Sequence, residues 1–269
     1  MGAIQGVENP RLRNRSFVQS LITLTSAIVS SDNHHGLENK FNEFVDYFTD
    51  NLSNQVEKGQ RATDKAYLDF QKTISANAKS GPSTRHQVMM RKLLSNFPEF
   101  SQCFSPEKLE ESGIIVEIRA TSQKIADQIS TLNEMYSSKN GGDLFKPTNK
   151  TVSALQILSH PVKDFSEYKN LIENMYFLFH EGPGTKLDGL VPSSLQDINS
   201  FRTSIQHDLD HGKGSKVKKK QVGIGEAFKK YSGYQSPAML NNDSFVVVQA
   251  NLLNAIYSDL VSLDATINA

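Results

Sequence analysis

Apolar residues recur at helical spacing along nearly the whole chain. Leu37, Phe41, Phe44, Phe48, Leu52 and Val56 form one stripe over about five turns. Upstream, Phe17, Leu21, Leu24 and Ile28 repeat the same way, interrupted by Gln19, Ser20, Thr23, Thr25 and Ser26. That mixture predicts a one-faced packing helix and not a signal peptide, despite the preceding Arg11, Arg13 and Arg15. Ala66, Tyr67, Phe70 and Ile74 predict a further helix, Ser80-Gly81-Pro82-Ser83 a break, and Val88, Met89, Leu93 and Leu94 the next helix. Ser105 followed by Pro106 reads as an N-cap and first helical residue. Ile115, Ile118, Ile125, Ile129, Leu132 and Tyr136 predict a long helix. Gly113 and the β-branched run Ile114-Ile115-Val116 weaken its start and also suit a short strand.

Residues 137–150, rich in Gly, Ser, Asn and Pro, form the expected linker. Beyond it the pattern predicts a helix around Phe165 to His180, a loop from Glu181 to Pro192, and a helix opened by Ser193, with Gln196 at capping-box spacing. A shorter helix around Gly225 to Tyr231 and a last one from Phe245 to Ile267 follow. The expected architecture is all-α, with an N-terminal helical region over 1–140 and a second helical domain over 151–269.

With 269 residues there is room for one large or two modest cores. Lysine plus arginine number 29, against 29 acidic residues, so any pointer to a polyanion must come from local clusters. Cys103 is the sole cysteine, which excludes an intrachain disulfide and a cysteine zinc cluster. The sequence predicts no membrane-spanning run, and position 6 is Gly where a myristoylation signal has Ser or Thr. A cytoplasmic protein without membrane association is the expectation.

The chemistry concentrates between Phe201 and Lys220. Arg202 stands five residues before His207. Arginine offers a planar fork of donors to a phosphate, and histidine exchanges protons near neutral pH. Lys213, Lys216, Lys218, Lys219 and Lys220 follow, in an expected basic loop. From Arg202 to Lys230 there are eight basic residues against three acidic ones, Asp208, Asp210 and Glu226. An Arg and a His beside lysines are the minimal parts for breaking a phosphodiester without a metal. Five residues turn an ideal helix by about 140°, so the pair does not share a stripe. Arg202 instead falls seven residues after Leu195, on the apolar face, where a charge needs a partner. Three readings stand open. The helix ends or distorts near His207, a second subunit meets this face, or Arg202 forms a structural ion pair and His207 is a surface residue.

The Arg202-Thr-Ser-Ile-Gln-His207 string, in a helical region of about 120 residues closed by a long terminal helix, resembles the HEPN superfamily, defined by R-x4-6-H. The resemblance covers about 151–269. The family usually has Asn, Asp or His directly after the Arg, where this chain has Thr203. The resemblance implies a metal-independent endoribonuclease of a prokaryotic defence or toxin system, homodimeric, with two motifs lining one cleft. The 2′-OH of the RNA would attack the adjacent phosphorus, His207 would act as general acid or base, and Arg202 would stabilise the transition state. Asp208 and His211 would assist proton transfer or orient His207, and the lysines would bind RNA. A regulatory or neutralising protein partner fits such a system. The family also contains inactive members that bind RNA or act as scaffolds, which keeps a non-catalytic interaction or RNA-binding module as the alternative.

Other patterns weigh less. His207 and His211 have the spacing of a helical zinc site, but no third ligand stands out among His34, His35, His86, His160 and His180. No metal or cofactor is therefore expected. Gly182-Pro-Gly-Thr-Lys186 reads as a plain turn. Arg85, His86, Arg91 and Lys92 read as a solvated face.

Overall fold

The computed structural model describes residues 14–75, 81–187, 189–207 and 215–268. Among these residues the protein consists of α-helices, short 3-10 segments and a π-helical turn, with no strand. The all-α class expected from the periodicity is the class observed. The chain divides into two compact units, Met1–Gly113 and Ile114–Ala269.

The first unit contains α1 (Arg15–Val29), α2 (Glu38–Lys58), α3 (Lys65–Ser75), α4 (Gly81–Asn96) and α5 (Pro106–Glu111). Asn14 caps α1 by accepting from Phe17 N at 3.1 Å. Ser105 caps α5, with Pro106 in the first turn. The stripes meet in an aromatic core, where Phe48 lies 5.0 Å from Phe70 and 6.2 Å from Phe17 between ring centroids. The basic residues of α4 do not form a solvated face. Arg85 is buried and donates from Nη1 to Thr73 O at 2.7 Å and from Nε to Ser20 Oγ at 3.2 Å. Lys92 pairs with Asp64 and lies over the Tyr67 ring. Burial first and Lys108 second hold His86 below its ordinary pKa. Arg85 and Lys92 tie elements of the first unit together, which answers the penalty on buried charge.

The second unit contains α6 (Ile114–Asn140), α7 (Asn149–Leu158), α8 (Phe165–Tyr176), α9 (Ser193–His207), α10 (Ser215–Ser232) and α11 (Phe245–Asn268). Ile114-Ile115-Val116 opens α6 as helix, not strand. Helices α6 and α11 run in the same direction. Thr121 and Glu117 meet Asn254, Gln128 meets Asp264, and Lys139 reaches Ile267 O. By length and composition α11 could cross a membrane, which the sequence reading did not expect, yet 56% of that span is buried inside the protein. Gln249, fully buried in α11, donates to Leu158 O at 2.9 Å and His160 O at 2.8 Å and accepts from Val162 N at 2.9 Å. One amide thus closes the end of α7 and sets the crossing into α8.

The linker expected at 137–150 lies inside the second unit. Asn133 on α6 grips Phe145 through both backbone groups, at 2.7 and 2.9 Å, and Leu144 and Phe145 are buried. Thr148 then starts α7 with a capping box to Thr151. The composition of a linker is present, but two apolar side chains anchor it. The division falls instead at Gly113, which has φ 80° and so ends α5's extension in the left-handed region.

Two outcomes are expected. Gln249→Leu leaves three buried backbone groups unpaired and lowers stability by about 3 kcal/mol or more, read as a fall in the thermal midpoint of the second unit. Burial pushes the Cys103 thiol up to about 11. The reactive thiolate is therefore scarce at pH 8, and a thiol probe is expected to label Cys103 only when the first unit unfolds. Rapid labelling of the native protein would contradict this.

Candidate nucleic-acid interface

Helices α8 and α9 lie side by side in the second unit. Asp164 caps α8 by accepting from Glu167 N at 2.8 Å, and Leu195, Ile198 and Phe201 bury the inner face of α9. The expected capping box at Ser193 is not formed, because Ser193 already belongs to the helix. Asp259 of α11 accepts from Ser194 N at 2.9 Å, and Gln196 donates to Val191 O.

Helix α8 runs on into a π turn, Phe177–Glu181. Gly182 N closes it on Phe177 O at 2.9 Å. A Cβ at Gly182 would lie 2.5 Å from Leu178 O, so the turn admits no side chain there without shifting backbone. Such turns interrupt α-helices at functional sites more often than elsewhere. Here Tyr176 and His180 stack with centroids 4.6 Å apart and planes at 15°.

Arg202 lies on this stack. Its guanidinium carbon is 4.2 Å from the Tyr176 centroid, and its Nε donates to Glu173 Oε2 at 3.5 Å. The other oxygen of Glu173 accepts from Gln206 Nε2 at 2.9 Å. Arg202, on the packing face of α9, therefore finds its partners on α8 of the same chain. The pair is 27% and 41% exposed in its side chains, so a long contact in that setting contributes well under about 1 kcal/mol. The face-on contact with Tyr176 contributes about 1 kcal/mol and sets the orientation. Held by one edge and one face, the guanidinium keeps Nη1 and Nη2 without a partner among the described residues.

The other expected site residues are spread along the chain. His207 is the last residue of α9. The helix does not end before it, so the backbone directions of Arg202 and His207 diverge by about 140°. Asp208, His211 and Lys213 lie outside the described residues. Lys216 belongs to the first turn of α10, and Lys218, Lys219 and Lys220 are exposed on that helix. The expected basic loop is thus largely helix, in keeping with the helix propensity of lysine. Its first turn contains no acidic residue. Positive charge at a helix N-terminus opposes the macrodipole. A latch fixes the other end of α10. Buried Asp197 of α9 accepts from Tyr231 OH at 2.8 Å and Lys230 Nζ at 3.1 Å. Burial, then the Asp197 bond, raises the Tyr231 pKa above its ordinary value, so the phenol stays a donor at neutral pH.

The sequence pattern does not single out Glu173 and Tyr176, the partners of Arg202, or His180, which stacks on Tyr176. The Tyr176/His180 spacing of four was a visible signal of a shared helix face. Lys186, in the turn after α8, bonds Asp143 O and serves that turn structurally. Among the described residues no three His, Cys, Asp or Glu side chains gather as a metal site. Compared with family models, curated proteins and solved structures, the chain matches none.

Double-mutant cycles on thermal stability are expected to give a larger coupling for Arg202–Tyr176, about 1 kcal/mol, than for Arg202–Glu173, about 0.5 kcal/mol or less. The reverse order would make the ion pair the element that orients Arg202.

Proposed function

We propose that the protein binds RNA through Arg202 and the lysines of α10 and cleaves it without a metal, as a homodimeric endoribonuclease. The observation that carries this reading is the state of Arg202. Its guanidinium is oriented by Tyr176 and Glu173 while both terminal nitrogens are without partners among the described residues. That is the arrangement a phosphate diester needs for a two-point contact. Exposed Lys218, Lys219 and Lys220 on α10 supply charge for the neighbouring phosphates. In the cleavage step the substrate's 2′-OH loses its proton to a general base and attacks the adjacent phosphorus. The 5′-oxygen leaves with a proton from a general acid, and a 2′,3′-cyclic phosphate remains. His207 is the proposed proton-transfer group, and Arg202 stabilises the charge that develops on the phosphorane oxygens. His180 stacks on the Tyr176 ring that Arg202 also contacts and serves as the control histidine. The resemblance noted for this motif adds a defence or toxin role.

One observation favours a second reading. The contact of Arg202 with Glu173 is also what a structural ion pair would show. In that case the second unit is a non-catalytic RNA-binding or interaction module.

Incubation of purified protein with mixed RNA in EDTA separates the two. Cleavage leaving 2′,3′-cyclic ends is expected, falling by about 100-fold or more in His207→Ala and in Arg202→Ala. His180→Ala is expected to retain most activity. Should His180→Ala lose it instead, the proton-transfer role passes to His180. A folded wild type that binds RNA but never cleaves it establishes the non-catalytic module.

A further inference from the structure

We propose that Glu173 is the general base of the cleavage step, which leaves His207 the part of general acid. The assignment rests on the RNA-cleaving reading of Arg202. That reaction needs two proton-transfer groups, one to take the 2′-OH proton and one to give a proton to the 5′-oxygen. Attacking and leaving oxygens stand roughly in line through phosphorus, so the two groups must reach the phosphate from different sides.

Glu173 is the carboxylate in contact with Arg202 among the described residues. Its Oε2 accepts from Arg202 Nε at 3.5 Å and its Oε1 from Gln206 Nε2 at 2.9 Å. Arg202 and Gln206 are i and i+4 on α9 and share a face, so each carboxylate oxygen is held from that helix. A carboxylate has about four acceptor sites, and two contacts leave room for a substrate hydroxyl. The side chain is 41% exposed, which makes it accessible to a strand. Glu173 takes the Nε edge of the guanidinium, and a phosphate takes Nη1 and Nη2. The attacking 2′-oxygen lies next to that phosphorus. A carboxylate on the neighbouring edge of the same fork is thus placed for the contact of about 3 Å that proton transfer requires.

His207 is turned about 140° round α9 from Arg202. Base and acid therefore come from different elements, Glu173 from α8 and His207 from the end of α9. Stability does not account for the carboxylate. An ion pair this long and exposed contributes little, and Tyr176 already meets the guanidinium face. A negative charge beside a phosphate-binding arginine repels the ligand. A group that opposes binding and adds little to the fold fits a part in the reaction. As the bond from the 2′-oxygen to phosphorus forms, the 2′-OH proton passes to a Glu173 oxygen. The bond from phosphorus to the 5′-oxygen breaks, and that oxygen takes a proton from the His207 imidazolium. After the products leave, solvent takes the proton from Glu173 and returns one to His207.

Two RNA substrates separate the roles, one with the ordinary 5′-oxygen and one with sulfur at that bridging position. A thiolate leaves without a proton, so the sulfur substrate needs the base and not the acid. Rates are measured in EDTA with enzyme in excess, beside RNA affinity. Glu173→Gln is expected to cleave the oxygen substrate about 100-fold or more slowly, while binding it at least as tightly as wild type. The sulfur substrate is expected to restore His207→Ala and to leave Glu173→Gln slow. Sulfur that restores Glu173→Gln, or fails to restore His207→Ala, overturns this division of roles. So does a wild-type rate in Glu173→Gln on the oxygen substrate, and each of these leaves the nuclease reading standing. Loss of RNA binding in Glu173→Gln makes the residue a support for Arg202 and overturns its role as base. A folded wild type that cleaves neither substrate overturns the base and the nuclease together.

Discussion

The second unit depends on one amide buried in an apolar helix. Helix α11 is lined with Val247, Val248, Leu252, Leu253, Ile256 and Leu260, all buried. Hydrophobic burial of that kind is strong but without direction. It specifies that α11 is covered and leaves the register of the covering helices loose. Gln249 removes that freedom. Its side chain answers two carbonyls and one amide proton around the end of α7, and each would be costly to leave unpaired in the interior. The crossing from α7 into α8 is thereby fixed relative to α11, and with it the start of α8 at Asp164.

From that start the geometry propagates by helix arithmetic. Glu173 and Tyr176 lie three residues apart and face α9 together, so they meet Arg202 from one side. Asp259 of α11 holds the N-terminal end of α9, and Asp197 ties its middle to α10. The arginine is oriented because both helices beneath and around it are tied to α11. An exposed ion pair alone would not do this, given the small energy of such contacts. Tyr176 supplies the face, and the π turn after it is possible because Gly182 presents no Cβ to Leu178 O.

What was legible in the sequence was local. The stripe of Phe44, Phe48 and Leu52 and the cap at Ser105-Pro106 are encoded within a few residues, and the structure repeats them. The lysine run has the charge of a solvated loop, but the helix propensity of lysine prevails and most of it is α10. The boundary was misread because residues 137–150 have a linker's composition, while Leu144 and Phe145 anchor them through Asn133, 12 positions away. The partners of Arg202 were illegible for the same reason at longer range. Glu173 precedes it by 29 positions, and no periodicity links the two. His207 is legible as a residue type, and the structure ends α9 at that residue, about 140° of helix rotation beyond Arg202.

The charge on α10 opposes the stability of the helix that bears it. Lys216, Lys218, Lys219 and Lys220 stand in the first six residues of the helix Ser215–Ser232, where cations in the first turn oppose the macrodipole and the effect fades beyond it. Nothing acidic in the first turn offsets them. The helix persists because its far end is anchored by buried Phe228 and Tyr231, each stabilising by about 1.5–3 kcal/mol. A fold selected for stability alone would reverse that charge. An anion at the lysine end relieves the repulsion among them and satisfies the helix terminus at once. Under the proposed RNA-binding role, the residues that weaken the free helix would strengthen a complex with phosphate, tying affinity for a polyanion to the stability of α10.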